Sequence, residues 1–143
     1  MLEFDDIQHI LLTRTPAITG RYEFLSFDTP VGGRGWLTEL LHKVQSAADA
    51  QTTMDSSDRW VTLAFTWNGL RALGVSDESL ATFPDEFREG MAARADILGD
   101  TGSCAPEHWV GGLAGDNLHA IAILFSRTAA YQRSCISKLV VKP

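Results

Sequence analysis

Four histidines, two cysteines and a set of closely spaced glycines are the residues of this chain that could do chemistry, and their spacing decides how much. Cys104 and His108 stand four apart, which on one helical turn would bring a thiolate and an imidazole to a single metal, but Pro106 lies between them and argues against that turn. A closed site needs further ligands and none lies nearby, so the metal reading is set aside. Asp5, Asp6 and His9 make a comparable cluster near the amino terminus, read as the solvated start of a helix. His42 is expected on the polar side of a helix, and His119 at the head of a buried strand with its ring bonded to backbone. Ser103 and Cys104 have no neighbouring base, and no Gly-x-Ser-x-Gly elbow occurs. Gly111, Gly112 and Gly115 precede a strand, whereas phosphate loops run from a strand into a helix. Neither nucleophilic catalysis nor nucleotide binding is indicated.

The elements that must position these residues read as an alternation of strands and helices. Residues 21–28 (RYEFLSFD) are aromatic-rich and follow Gly20, which marks a strand. Tyr22 and Phe24 fall on one of its faces, Leu25 and Phe27 on the other, and both faces are expected to be covered. Thr29 offers a cap and Pro30 suits a first helical turn. Trp36, Leu37, Leu40, Leu41 and Val44 then recur at helical spacing, giving a helix over about 30–46. Residues 47–57, small and polar around Met54, read as a loop, and residues 60–65 (WVTLAF) as a second strand.

Thr66 can cap a short helix closed by Gly74, and Ser76 can cap another turn. Pro84 then suits the first position of a helix bearing Phe87, Met91, Arg94 and Leu98 and ended by Gly99. Residues 100–117 are broken up by glycine and proline and read as a long loop, in which Trp109 either packs locally or seals an interface. Residues 118–125 are apolar without alternation, as in a central strand buried on both faces. A last helix carrying Tyr131, Cys135 and Ile136 and a strand over 138–142 complete the order.

The order is β, α, β, helical insertion, β, α, β. It fits an α+β, ferredoxin-like (βαββαβ) antiparallel sheet with helices on one face and the inserted helices between its second and third strands. The other face must be covered by something, whether a second domain, a second subunit or the insertion itself. A chain of 143 residues suits one domain spanning 1–143 and able to bury roughly two thirds of its unfolded surface. Hydrophobic residues at 45% and charged residues at 21% place it among folded globular chains. A net charge of -6 with dispersed arginines disfavours nucleic acid. Cys104 and Cys135 cannot form a disulfide framework, the start lacks the basic and apolar regions of a secretory signal, and the run 120–125 is too short to span a bilayer. A cytoplasmic location and no membrane partner are expected.

Several segments also stand in a recognisable sequence. They are Asp6, Ile7 and Gln8 near the start, residues 21–27 with Trp36 and Leu37, and VTLAFTWNGLRALGV over 61–75. The longest is FPDEFREGMAARADILGDTG over 83–102, followed by residues 106–109 and 111–113 and the strand from His119. Together they resemble the amino-terminal portion of the dye-decolorizing (Dyp-type) haem peroxidases, although His9 stands where that family has glycine. The resemblance implies two ferredoxin-like domains holding haem b, with hydrogen peroxide reduced while dyes or other donors are oxidised. It also implies a distal aspartate in a Gly-x-x-Asp-Gly motif, a distal arginine and a proximal histidine on iron. None can be carried onto this chain, because Gly115-Asp116-Asn117 has the wrong spacing and no histidine lies in the proximal context.

The resemblance places those residues downstream of Pro143. The expectation is therefore an amino-terminal domain that binds no haem and turns over no peroxide alone. Its partner is the carboxyl-terminal peroxidase domain, or a second subunit, against the open sheet face. The rival expectation is a small homodimeric module of the same fold, holding haem or another apolar ligand between subunits.

Overall fold

The computed structural model describes residues 2–17, 19–53 and 58–128. Three strands, β1 (Thr19–Leu25), β2 (Arg59–Phe65) and β3 (Ala120–Ser126), form an antiparallel sheet in the order β1-β3-β2. The most apolar strand thus takes the centre, where both of its edges are paired, and the register sets Leu25 and Phe65 against Ala120 and Glu23 and Leu63 against Ala122. That order, with the third strand between the first two, matches three of the four strands of the expected ferredoxin-like arrangement. The expected last helix and the strand over 138–142 lie outside the described residues.

One face of the sheet carries the core. Leu25, Val61, Leu63, Ala120 and Ala122 pack there with Phe27, with Trp36 and Leu40 from α1 (Pro30–Leu41), and with Leu73, which follows α3 (Trp67–Ala72). The small side chains of Ala120 and Ala122 leave room for the helical residues, and the Phe27 and Trp36 rings meet at 5.4 Å between centroids. Burying these side chains supplies most of the driving force, at about 1.5–3 kcal/mol for each large one.

The caps fall where the sequence places them. Thr29 Oγ1 accepts from the Gly32 N–H at the start of α1, Thr66 Oγ1 from Gly69 at the start of α3, and Ser76 Oγ from Ser79 at the start of α4 (Asp77–Leu80). Gly74 and Gly99 close α3 and the later α6 (Ala95–Leu98) with positive φ.

Three expectations are corrected. The first helix ends at Leu41 instead of continuing to 46, because Val44 and Ser46 are drawn out into bridges with Val61 and Gln8. Residues 47–53, expected in a loop, form α2 (Ala47–Thr53). Its start is held by a reciprocal pair in which Asp49 donates its N–H to Ser46 Oγ and its carboxylate accepts the Ser46 N–H. Met54 lies outside the described residues. The helix expected from Pro84 to Leu98 begins one residue later as α5 (Asp85–Ala93) and is broken at Gly90, whose φ of 75° and ψ of 177° no helix contains. Past that break the spacing no longer defines one face, and Met91 and Leu98 are exposed.

β2 is an edge strand, and its outer side is closed by side chains. The Gln8 amide accepts the Leu63 N–H and donates to the Leu63 carbonyl, both at 2.8 Å, as a neighbouring strand would. Gln45 Oε1 accepts the Val61 N–H at 3.1 Å. The segment bearing Gln8 is held in turn by N–H donation from Ala47 to the Ile7 carbonyl and from His9 to the Gln45 carbonyl.

Backbone meets backbone most closely at α3. A Cβ built on Gly69 would lie 1.7 Å from the His119 carbonyl oxygen, so only glycine lets the helix seat on the start of β3. Gly69→Ala should therefore lower unfolding stability by about 3 kcal/mol or more, the upper end of overpacking costs. Gly35→Ala, in α1 with open space around its Cβ, should raise stability by up to about 1 kcal/mol. Urea midpoints of the two variants against the parent check both signs.

Candidate docking face and adjoining cleft

The second face of the sheet carries the alternate residues: Tyr22 and Phe24 of β1, Ile121, Ile123 and Phe125 of β3, and Trp60, Thr62 and Ala64 of β2. Its two ends differ. Trp60 and Thr62 are buried, with the Arg127 guanidinium 5.6 Å from the Trp60 ring centre. Tyr22 and Phe24 are 60% and 50% exposed, which corrects the expectation that both faces of β1 are covered. Ile121, Ile123 and Phe125 of the central strand are only half-buried. Exposed aromatic residues on β1 beside a partly covered central strand make an apolar surface suited to lie against another protein surface.

Beside the sheet lies a cleft of about 380 Å³ between the start of α3, the broken helix α5 and the loop that leads into β3. Phe65, Trp67, Phe87, Met91, Leu113 and Leu118 give it an apolar lining. Trp67 stands edge-on to Phe83 and Phe87, and the Arg88 guanidinium lies 5.5 Å from the Trp67 ring centre. Asn68 donates to Asp116 at 3.1 Å across one rim. Neither the cleft nor the open face gathers a nucleophile with a base beside it, and no three metal-ligating side chains converge among the described residues.

The histidines divide sharply. His42 and His108 are exposed, as is Cys104, while Trp109 bonds within its own loop by donating Nε1–H to the Cys104 carbonyl at 2.9 Å. His119 bonds to backbone as expected: Nδ1 accepts the Phe27 N–H at 2.8 Å, so its proton belongs on Nε2. His9 departs from expectation. It is fully buried where a solvated residue was expected, because the chain that follows it folds back and α2 packs across it, whereas Asp5 and Asp6 are exposed. Burial holds both imidazoles below the ordinary value of 6.5, and for His9 a nearby Gln45 carbonyl offsets part of that lowering. Gln45 escaped the sequence reading, since an isolated glutamine carries no periodic signal, and Gln8 entered it only as part of the Asp6-Ile7-Gln8 segment, with no role at the β2 edge.

Residues 34–141 match the family described as the DyP dimeric alpha+beta barrel domain. Peroxidase 2 of Mycetinis scorodonius is 28% identical over 128 residues, a stretch that takes in 89% of this chain and 24% of that protein. The crystal structure of a fungal DyP-type peroxidase from Auricularia auricula-judae superimposes with a TM-score of 0.77 at 24% identity, covering 91% of this chain and 28% of that one. A crystal structure of DyP gives 0.76 at 20% identity, again with 28% of its length covered. The chain thus spans about a quarter of the length of the relatives it matches.

Two measurements test the site. A hydrophobic reporter such as anilinonaphthalene sulfonate should bind the open face, and Tyr22→Thr with Phe24→Thr should cut its fluorescence several-fold while leaving the far-ultraviolet spectrum intact. For the histidines the folded state binds fewer protons than the unfolded one, so stability is fully present above pH 6.5 and falls as pH drops toward their lowered values. Unfolding titrations from pH 7.5 to 5 should show this loss, and His119→Gln should remove the share that belongs to His119.

Proposed function

The chain belongs to the DyP dimeric alpha+beta barrel domain family, and from that premise we propose that it serves as the amino-terminal ferredoxin-like domain of a dye-decolorizing haem peroxidase. The observation that carries the reading is a sheet packed by helices on one face while Tyr22 and Phe24 stand exposed on the other. Tyr22, Phe24, Ile121, Ile123 and Phe125 are suited to lie against a second domain of the same protein. The cleft beside Trp67 adds apolar surface next to that sheet.

Haem chemistry is tested against the residues themselves. Peroxide cleavage needs a group to move a proton between the peroxide oxygens, a cation for the developing charge and an axial ligand for iron. Among the described residues no histidine stands on the open face: His119 is engaged by the Phe27 N–H, His9 is enclosed, and His42 and His108 face solvent elsewhere. These residues do not fit an iron ligand, and the proposal assigns ligand, acid–base group and cation to the rest of the protein. The role of this domain is structural, as one wall against which the haem-bearing part packs.

A second reading has its own support, since the family is described as a dimeric barrel domain and Tyr22 and Phe24 are exposed on the open face. In it two copies pair their sheets and hold haem or another apolar ligand between them.

Titration of the 143-residue protein with haem, followed by the Soret band, should give no shifted stoichiometric band and no peroxide-dependent dye oxidation. Fusion to the downstream part of a relative should give both. Turnover by the short chain alone would overturn the first reading, and a monomer by sedimentation at working concentration would remove the second.

A further inference from the structure

The amino-terminal segment contains a polar atom that the fold leaves unanswered. His9 is 0% exposed, and while its Nε2 lies 3.0 Å from Thr15 Oγ1, its Nδ1 makes no hydrogen bond. Its backbone is fully engaged, with the N–H given to the Gln45 carbonyl and the carbonyl taking the Thr13 hydroxyl at 2.8 Å. A neutral ring tolerates one unpaired nitrogen, whereas an imidazolium has two N–H donors to satisfy in a buried space beneath α2, where the nearby Gln45 carbonyl offsets only part of the cost of burial. The residue beside it in the chain is Gln8, whose side chain closes the outer edge of β2 at Leu63.

We propose that residues 2–15 form a detachable clip over the β2 edge and that His9 is its proton-sensitive latch. Protonation of the enclosed ring expels it, Gln8 leaves with it, and the Leu63 N–H and carbonyl become an open strand edge, the template on which another strand pairs. A proton taken from solvent forms the new ring N–H bond, and the two Gln8–Leu63 hydrogen bonds are given up to water.

The charged groups on the surrounding elements do not reverse this. Asp5 and Asp6 precede the ring, Arg14 follows it, Asp49 lies on α2, His42 and Lys43 follow α1, and Asp58 and Arg59 lie at the start of β2. All are exposed, and Asp49 holds Ser46. None is enclosed with the imidazole, so burial decides the sign and the closed clip is the deprotonated form.

Amide hydrogen exchange on the full chain, corrected for the intrinsic pH dependence of exchange, tests the latch. Below pH 6.5 the protection of the Leu63 amide, which Gln8 holds, should fall by about tenfold per pH unit, down to the lowered value of His9, and should lie below that of the β3 amides. His9→Gln should abolish that fall at Leu63, and Gln8→Ala should leave Leu63 weakly protected even at pH 7.5. The proposal is overturned if Leu63 exchanges at the same rate as β3 at every pH, since the edge then opens only with the whole fold. It is equally overturned if the fall persists in His9→Gln. Should His9→Gln not fold, the parent profile at Leu63 against β3, together with Gln8→Ala, decides in the same way.

Discussion

One residue ties three elements together at the end of the sheet. His119 donates its N–H to the Leu25 carbonyl, accepts the Phe27 N–H on Nδ1, and offers its carbonyl to the Thr66 N–H. The first strand as it leaves the sheet, the central strand as it enters and the cap of α3 are therefore fixed by one backbone unit and one ring. The Thr66 hydroxyl adds a bond of 2.5 Å to the Leu118 carbonyl, and Gly69 sits against the His119 oxygen at a distance no side chain permits. A joint of this kind keeps buried backbone groups paired while the chain changes direction, which a strand ladder alone cannot do. The seating of α3 on the sheet depends on it, and so does the cleft between α3 and α5.

The sheet it anchors treats its boundaries unequally. The β2 edge is closed by two glutamine side chains, and one face is closed by α1 and the residue after α3. The other face is left apolar and open around Tyr22 and Phe24. Closing the β2 edge while leaving the face open disfavours strand-to-strand pairing at β2 and leaves the face for stacking on another surface. That is the geometry a member of this domain family needs if it is one wall of a larger molecule.

Much of the architecture was legible because its causes are local. Thr29, Thr66 and Ser76 cap helices through bonds three residues away, Gly74 and Gly99 end them through a positive φ, and the apolar run before Ser126 can only be a central strand. The long motif over 83–102 identified the family without any coordinates. Two local signals were passed over: Ser46 with Asp49 begins α2, and Gly90 cuts α5.

What the sequence by itself determined is thus the fold class, the three described strands and most of the described helix starts, since hydrogen bonds within a turn and side-chain periodicity act over a few residues. The tertiary structure alone decided which groups became enclosed. His9 looks like a solvated residue until α2 crosses it, and Gln8 looks like any surface glutamine until Leu63, 55 residues away, presents its backbone. Tyr22 and Phe24 read as core until the sheet leaves their face uncovered. Burial belongs to what distant chain comes to lie over a residue, and no spacing within the sequence records it.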